Sequence, residues 1–313
     1  MILAGLIAAR FAHYLALALA FGAVAYGAFA DGQPTDRVRR RLGRLALWAS
    51  LGVLLSALAL LGATAGNMVG DVSGMTDPTV WAAIIQETDF GRVWSVRIAL
   101  ALLLIAVVLL RARSERRVGL DAAALMLAGG LAVTVAMTGH AQIATGAPGL
   151  GHRGSDAVHL VAAVVWIGVL PPLLYLLARP TAGQLRPDPA LAARRLQGFH
   201  AVGIAAVLAL NASGLINSWF LVGDVGRLFT TPYGRILLVK LVLFAGMVAL
   251  AADNRFRLVP GLVRARQLRL APEAWLGKLQ RHIRAEFALG VAVLVAVAVL
   301  GSIAPAIEAA GEG

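Results

Sequence analysis

The sequence predicts an all-α, polytopic membrane protein: eight transmembrane helices in two pseudo-repeated four-helix halves, with both termini outside the cytoplasm. Composition, the length of the apolar runs and the placement of arginine lead to this reading. Of 313 residues, 59% are hydrophobic and 14% charged, with a mean hydropathy of +0.80. Soluble domains sit near 45–50% apolar and about 25% charged. A spanning helix needs roughly 20 mostly apolar residues, and the chain holds several such stretches.

Eight spans follow in order: 5–30, 45–66, 93–110, 120–139, 156–178, 199–217, 234–252 and 285–304. The first lacks a basic leader and a small-residue cleavage site, so it reads as a retained helix and not as a removed signal. The connections then alternate in charge. Arg37, Arg39, Arg40, Arg41 and Arg44 follow the first span. Arg111, Arg113, Arg116 and Arg117 follow the third, and Arg179, Arg186, Arg194 and Arg195 the fifth. After the seventh come Arg255, Arg257, Arg264, Arg266, Arg269, Lys278, Arg281 and Arg284. Together these are 21 of the 28 basic residues, all on one side. The opposite side carries Asp71, Asp77, Glu87 and Asp89, with Glu308 and Glu312 in the tail. Basic loops stay in the cytoplasm, which orients the chain in a bacterial inner membrane with its termini in the periplasm. The net charge of +12 therefore faces anionic lipids at the cytoplasmic surface and not nucleic acid.

A weak internal repeat divides the chain into halves 1–140 and 141–313. Thr88-Asp-Phe-Gly-Arg-Val-Trp-Ser-Val-Arg97 and Thr231-Pro-Tyr-Gly-Arg-Ile-Leu-Leu-Val-Lys240 share T-x-[FY]-G-R-x-x-x-V-[RK]. His13 precedes Gly22 by nine residues, as His159 precedes Gly168, and Arg40-Arg41-Leu42 matches Arg194-Arg195-Leu196. Repeats of four spans keep one orientation, and repeat interfaces often hold transport sites. Gly62 and Gly66 give a G-x-x-x-G spacing suited to close packing. Pro171-Pro172 interrupts the hydrogen bonding of the fifth span.

With no cysteine, thiolate chemistry is excluded, and a soft-metal site must use His and Met. Polar groups at membrane depth are functional candidates. His13 lies roughly 12 Å into the first span at 1.5 Å per residue. His140 closes the fourth span, Met137 shares its face, and His159 opens the fifth. Met68 and Met75 flank the second outer loop. Imidazole with thioether suits copper, reduced copper above all. Asp156, three residues before His159, is placed to orient the imidazole. A single histidine at a helix end also fits an interfacial role, and His200 and His282 read that way beside their arginines. Arg10, Arg97 and Lys240 near the outer ends would repel a cation unless offset, so ion pairs with Asp71, Asp156 or Asp224, an anion site and snorkelling all stay open.

The chain also resembles the copper resistance D (CopD) membrane proteins. The likeness lies in Gly139-His140-Ala141, in His159-Leu-Val-Ala-Ala-Val-Val-Trp166-Ile-Gly168-Val-Leu170, in Ser213-Gly214-Leu215 and in Thr231–Lys240. Asn254-Arg-Phe-Arg-Leu-Val-Pro260 and Glu286 continue it. It is most specific over 139–305, and Val169 stands where the family usually has a second glycine. The resemblance implies copper handling across the inner membrane, usually import from the periplasm, with a CopC-type periplasmic copper-binding protein as partner. It supports His140 and His159 best.

The expected function is therefore copper transport or relay, without enzymatic chemistry, through His13, His140, His159, Met68 and Met137. The cargo is a copper ion, Cu(I) favoured. No phosphate-binding loop of an ATPase is present. The competing readings are a haem-binding membrane redox protein using histidine pairs and a copper-insertion factor for a respiratory oxidase.

Overall fold

The computed structural model describes residues 1–29, 36–114, 118–139, 146–177, 189–268 and 270–308. Eleven α-helices occur among them: α1 (Ile2–Phe29), α2 (Asp36–Val69), α3 (Pro78–Glu87), α4 (Asp89–Arg113), α5 (Val118–Ala136), α6 (Gly146–Leu177), α7 (Pro189–Leu221), α8 (Arg227–Thr230), α9 (Pro232–Asp253), α10 (Val259–Gln267) and α11 (Glu273–Leu300). No strand occurs among the described residues. Helices α1, α2, α4, α5, α6, α7, α9 (continued through α10) and α11 supply eight segments long and apolar enough to cross a membrane. In lipid every backbone group must bond internally, and a helix achieves this alone. Large side chains such as Trp48, Leu55, Met126, Leu208, Trp219 and Val242 face outward, as a lipid-solvated surface requires.

The end of the bundle where α1 starts and α11 stops is called upper here, the arginine-rich end lower. Within the first half α1 packs on α2, α2 on α4, α4 on α5 and α5 back on α1. Within the second, α6 packs on α7 and α11, and α9 on α11. The halves meet through α1 and α6, α5 and α6, and α1 and α11. One departure is that α7 takes α10 as a neighbour.

The α1–α6 contact is backbone on backbone. A methyl group added at Gly22 would lie 1.7 Å from the Gly168 carbonyl oxygen, and one at Gly168 would lie 2.1 Å from that of Ala18. Small residues allow such approach. The prolines contribute as well. Pro172 has no N–H, so the Gly168 carbonyl four residues earlier loses its helical donor and faces Gly22 instead. Helix α6 runs on through both prolines.

Local signals set the helix ends. Thr88 and Thr231 cap α4 and α9, each hydroxyl accepting the amide of the glycine three residues on, Gly91 at 2.9 Å and Gly234 at 3.0 Å. Both glycines are required, because an added methyl would fall 2.1 Å from the Ile84 oxygen or 2.2 Å from the Arg227 oxygen. The upper connection between α2 and α4 is a short 3-10 turn (Val72–Thr76) and then α3. Asp71 accepts the Ser73 amide and Asp77 the Thr79 amide, both at 2.8 Å. These donors and the side-chain hydroxyls beside them hold both carboxyls below the usual carboxylate range. The Gly62–Gly66 pair seats this turn: the Met75 backbone lies against Gly62 and its side chain against Gly66.

Candidate metal site

His13 projects from α1 into the first half and is fully buried. Its Nδ1 lies 2.9 Å from the Ser56 hydroxyl on α2. The single proton of that hydroxyl goes back to its own helix, to the Gly52 carbonyl at 2.6 Å or that of Val53 at 3.1 Å. Ser56 can therefore only accept from the ring, so Nδ1 carries the proton and Nε2 the lone pair. That Nε2 is buried and has no hydrogen-bond partner in the structure. Buried polar atoms are nearly always bonded, and this nitrogen is among the few in the described residues that are not.

His159 on α6 repeats the arrangement. Its Nδ1 lies 3.0 Å from the Ser213 hydroxyl on α7, which donates to the Ala209 carbonyl at 2.5 Å. Gly214 makes room for the ring: a methyl there would stand 3.5 Å from Cε1. The surroundings differ in two ways. His159 is only partly buried, and its Nε2 faces the Lys240 ammonium at 3.4 Å. Asp156 does not orient His159 as its spacing suggests. Its carboxylate accepts from the Asn217 amide at 3.1 Å instead and lies within electrostatic reach of Lys240. The serine one helix away is better aimed at the ring than the carboxylate one turn back.

Arg97 has a physical explanation that does not involve a carboxylate. Arg97 is 2% exposed. It donates to the Thr134 hydroxyl at 3.0 Å, the Thr134 carbonyl at 2.7 Å and the Thr138 hydroxyl at 2.9 Å. Thr134 belongs to the last turn of α5, whose carbonyls lack helical donors and whose end carries the negative pole of the helix dipole. Arg10 lies against the end of α11: its Nη1 sits 2.7 Å from where a methyl on the terminal Gly301 would stand. Asp71 and Asp224 cap their own turns. Tyr14 lies within electrostatic reach of Arg10, Arg97 and Asp156.

The remaining candidates are placed as follows. Met68 is exposed at the end of α2, and Met137 follows the last turn of α5. His140 lies at 140–145, outside the described residues. His152 is buried and stacks on Phe220, ring centroids 4.5 Å apart. His282 faces Asp253 at 3.5 Å at the lower end. Among the described residues no group of three or more His, Asp and Glu is close enough to hold one metal ion. The structure thus gives His13 and His159 the same serine anchor without gathering them into a larger cluster. Sequence reasoning missed Ser56, and it noted Ser213 only within the family likeness, without a role. The available signal was a lone hydroxyl in an otherwise apolar run, as in Leu54-Leu55-Ser56-Ala57-Leu58.

Residues 1–150 match the family described as copper resistance protein D-like, N-terminal domain, and residues 193–300 match copper resistance protein D. Copper resistance protein D of Pseudomonas syringae pv. tomato is 32% identical over 97% of this chain and 97% of its own. The chain belongs to the copper resistance protein D family. A further member-like relative, inner membrane protein YebZ of Escherichia coli (strain K12), is 34% identical over 96% of this chain and 98% of its own. Copper transport protein CutJ of Bacillus subtilis (strain 168) is 31% identical over 98% of this chain but 54% of its own length. No solved structure is detectably similar. The protein is a copper-handling membrane protein of this family, and its two serine-anchored histidines lie in the part of the bundle nearer the upper end.

Proposed function

We propose that the protein takes up copper(I) from the periplasm and relays it across the inner membrane, with the upper end periplasmic and the arginine-rich end cytoplasmic. The observation that carries this reading is the His13 Nε2 lone pair, buried and unpartnered while Nδ1 is fixed by Ser56. A ring held by one nitrogen and bare at the other is the arrangement of a metal-ligating histidine. His159 supplies the second imidazole, more accessible and covered at Nε2 by Lys240. Soft univalent copper accepts two donors in a line, so two or three ligands suffice. Met68 and Met137 extend the capture site at the same end, His140 is a further candidate ligand from the sequence alone, and a CopC-type periplasmic protein delivers the ion.

The two halves act as repeats of one unit. His13 stands to Ser56 and Gly22 as His159 stands to Ser213 and Gly168, and the Thr88 and Thr231 caps match. The membrane potential, about 2.3 kcal/mol per charge per 100 mV, drives a cation inward. The decisive experiment is copper(I) uptake into proteoliposomes. His13→Ala and His159→Ala each lower the initial rate by on the order of 10-fold or more. Equal flux in all three proteins rejects the site, and no flux in the intact protein rejects transport.

A further inference from the structure

Half-way along α11, at the lower end of its apolar stretch, Glu286 is 3% exposed. Two neutral donors reach it. The Trp166 indole N–H on α6 lies 2.6 Å from Oε1, and the Asn254 amide lies 3.4 Å from Oε2. Trp166 is itself buried, with Phe244 edge-on at 5.7 Å. One turn further up, Gly290 packs on Ile167 and Met247. Asn254 opens a π-helical turn (Asn254–Leu258), a local widening that often marks functional positions. The Asn254 Oδ1 is buried with no partner in the structure.

Among the described residues no cation pairs with Glu286. Helix α6 offers no ionisable group between His159 and Tyr175, and α1 offers only tyrosines below His13. On α9 and the π turn, Asp253 is bonded to Arg257 at 3.1 Å and faces His282, and Arg255 lies over the Phe256 ring. His282, one turn before Glu286 on its own helix, turns to Asp253 and not to the carboxyl. Helix α10 contributes Arg264 and Arg266, both in its last turn. A carboxylate sealed among neutral groups is costly, and such a group either keeps its proton or meets a cation. A water route lies close by. A cavity of about 340 Å³ at the lower end is lined by Asp253, Arg257, Trp275, Lys278, Arg281 and His282. It reaches the residue next to Asn254.

We propose that Glu286 is a proton-binding site that exchanges its proton for the cargo cation. In the resting protein the carboxyl is O–H. When the ion arrives, that bond breaks, the proton leaves through the Asp253–His282 cavity to water, and the carboxylate with the Asn254 Oδ1 takes the positive charge. The proton returns when the ion moves on, so no electron is transferred and no net proton is consumed. This rests on the copper reading for the identity of the ion, but not for the resident proton.

The test uses the purified full-length protein and silver(I), a redox-inert stand-in for copper(I). Bound metal, protons released and the infrared C=O band of a carboxylic acid are measured together. The wild type is expected to show the acid band at neutral pH and to lose it as silver binds. Glu286→Gln should lack the band and release one proton fewer per chain, while Glu286→Asp should restore both. Silver that binds while the band stays, or equal proton release from wild type and Glu286→Gln, overturns the exchange. Absence of a Glu286-dependent band overturns the proton site. A band without any bound silver rejects the copper reading and the exchange, and leaves the proton site standing.

Discussion

A histidine binds metal only through an unprotonated nitrogen, and at both His13 and His159 a serine decides which nitrogen that is. The serine hydroxyl spends its proton on its own helix and can only accept from Nδ1. Removing it leaves the ring free to rotate or change tautomer. Ser56→Ala or Ser213→Ala is therefore expected to weaken silver(I) or copper(I) binding about 10–100-fold, read by competition with a chromogenic chelator. Ser56→Thr, which keeps the hydroxyl, should retain affinity. A change under about twofold would mean that something other than the serine orients the ring. The upper cations teach a related lesson. Arg10, Arg97 and Lys240 look alike in sequence, each a charge near a span end. Arg97 bonds the C-terminal end of α5, where half a negative charge awaits, Arg10 lies against the end of α11, and Lys240 covers a histidine. Spacing along one helix cannot distinguish these roles, because each partner comes from another helix.

Helices were legible to within a few turns because the apolar runs are long and the capping threonines carry a repeated motif. The sequence-predicted starts of the third and seventh crossings fall close to Thr88 and Thr231, where the threonine hydroxyls bond Gly91 and Gly234. Helix ends beyond the hydrophobic region were less legible: α2 and α7 continue well past the predicted limits, since charged residues such as Arg39 and Arg44 sustain a helix as readily as a loop. The G-x-x-x-G of α2 was legible as a packing surface, but its partner, a turn of the same hairpin, was not. The Gly22–Gly168 pair is the element-scale feature with the largest expected effect. Gly168→Leu forces α1 and α6 apart and should destabilise the fold by about 1–3 kcal/mol, the usual cost of overpacking. Thermal unfolding in detergent should show a lowered midpoint. Gly43→Ala, where a methyl meets nothing within 4 Å, is the control and should leave the midpoint unchanged or raise it. Equal midpoints for Gly168→Leu and wild type would deny the close crossing.

At the scale of the whole molecule, charge alternation in the loops sets the proposed orientation, and the chain has no native cysteine to confuse its test. Single cysteines placed at Asn67 and at Arg40 are expected to react oppositely with a membrane-impermeant maleimide on intact spheroplasts: Asn67→Cys labelled, Arg40→Cys labelled only after lysis. The reverse pattern inverts the topology and with it the direction of uptake. The number of crossings was readable from composition because lipid demands a fixed length of apolar helix. The convergence of side chains was not, since it depends on rotation of each helix about its own axis, which a sequence with apolar residues on every face leaves open. The seam between the halves has one more implication. Where Gly22 meets Gly168 the two main chains touch with no side chain between them, so nothing the size of an ion can thread that junction. On the proposed relay, a permeating ion would pass to one side of that crossing and not through it.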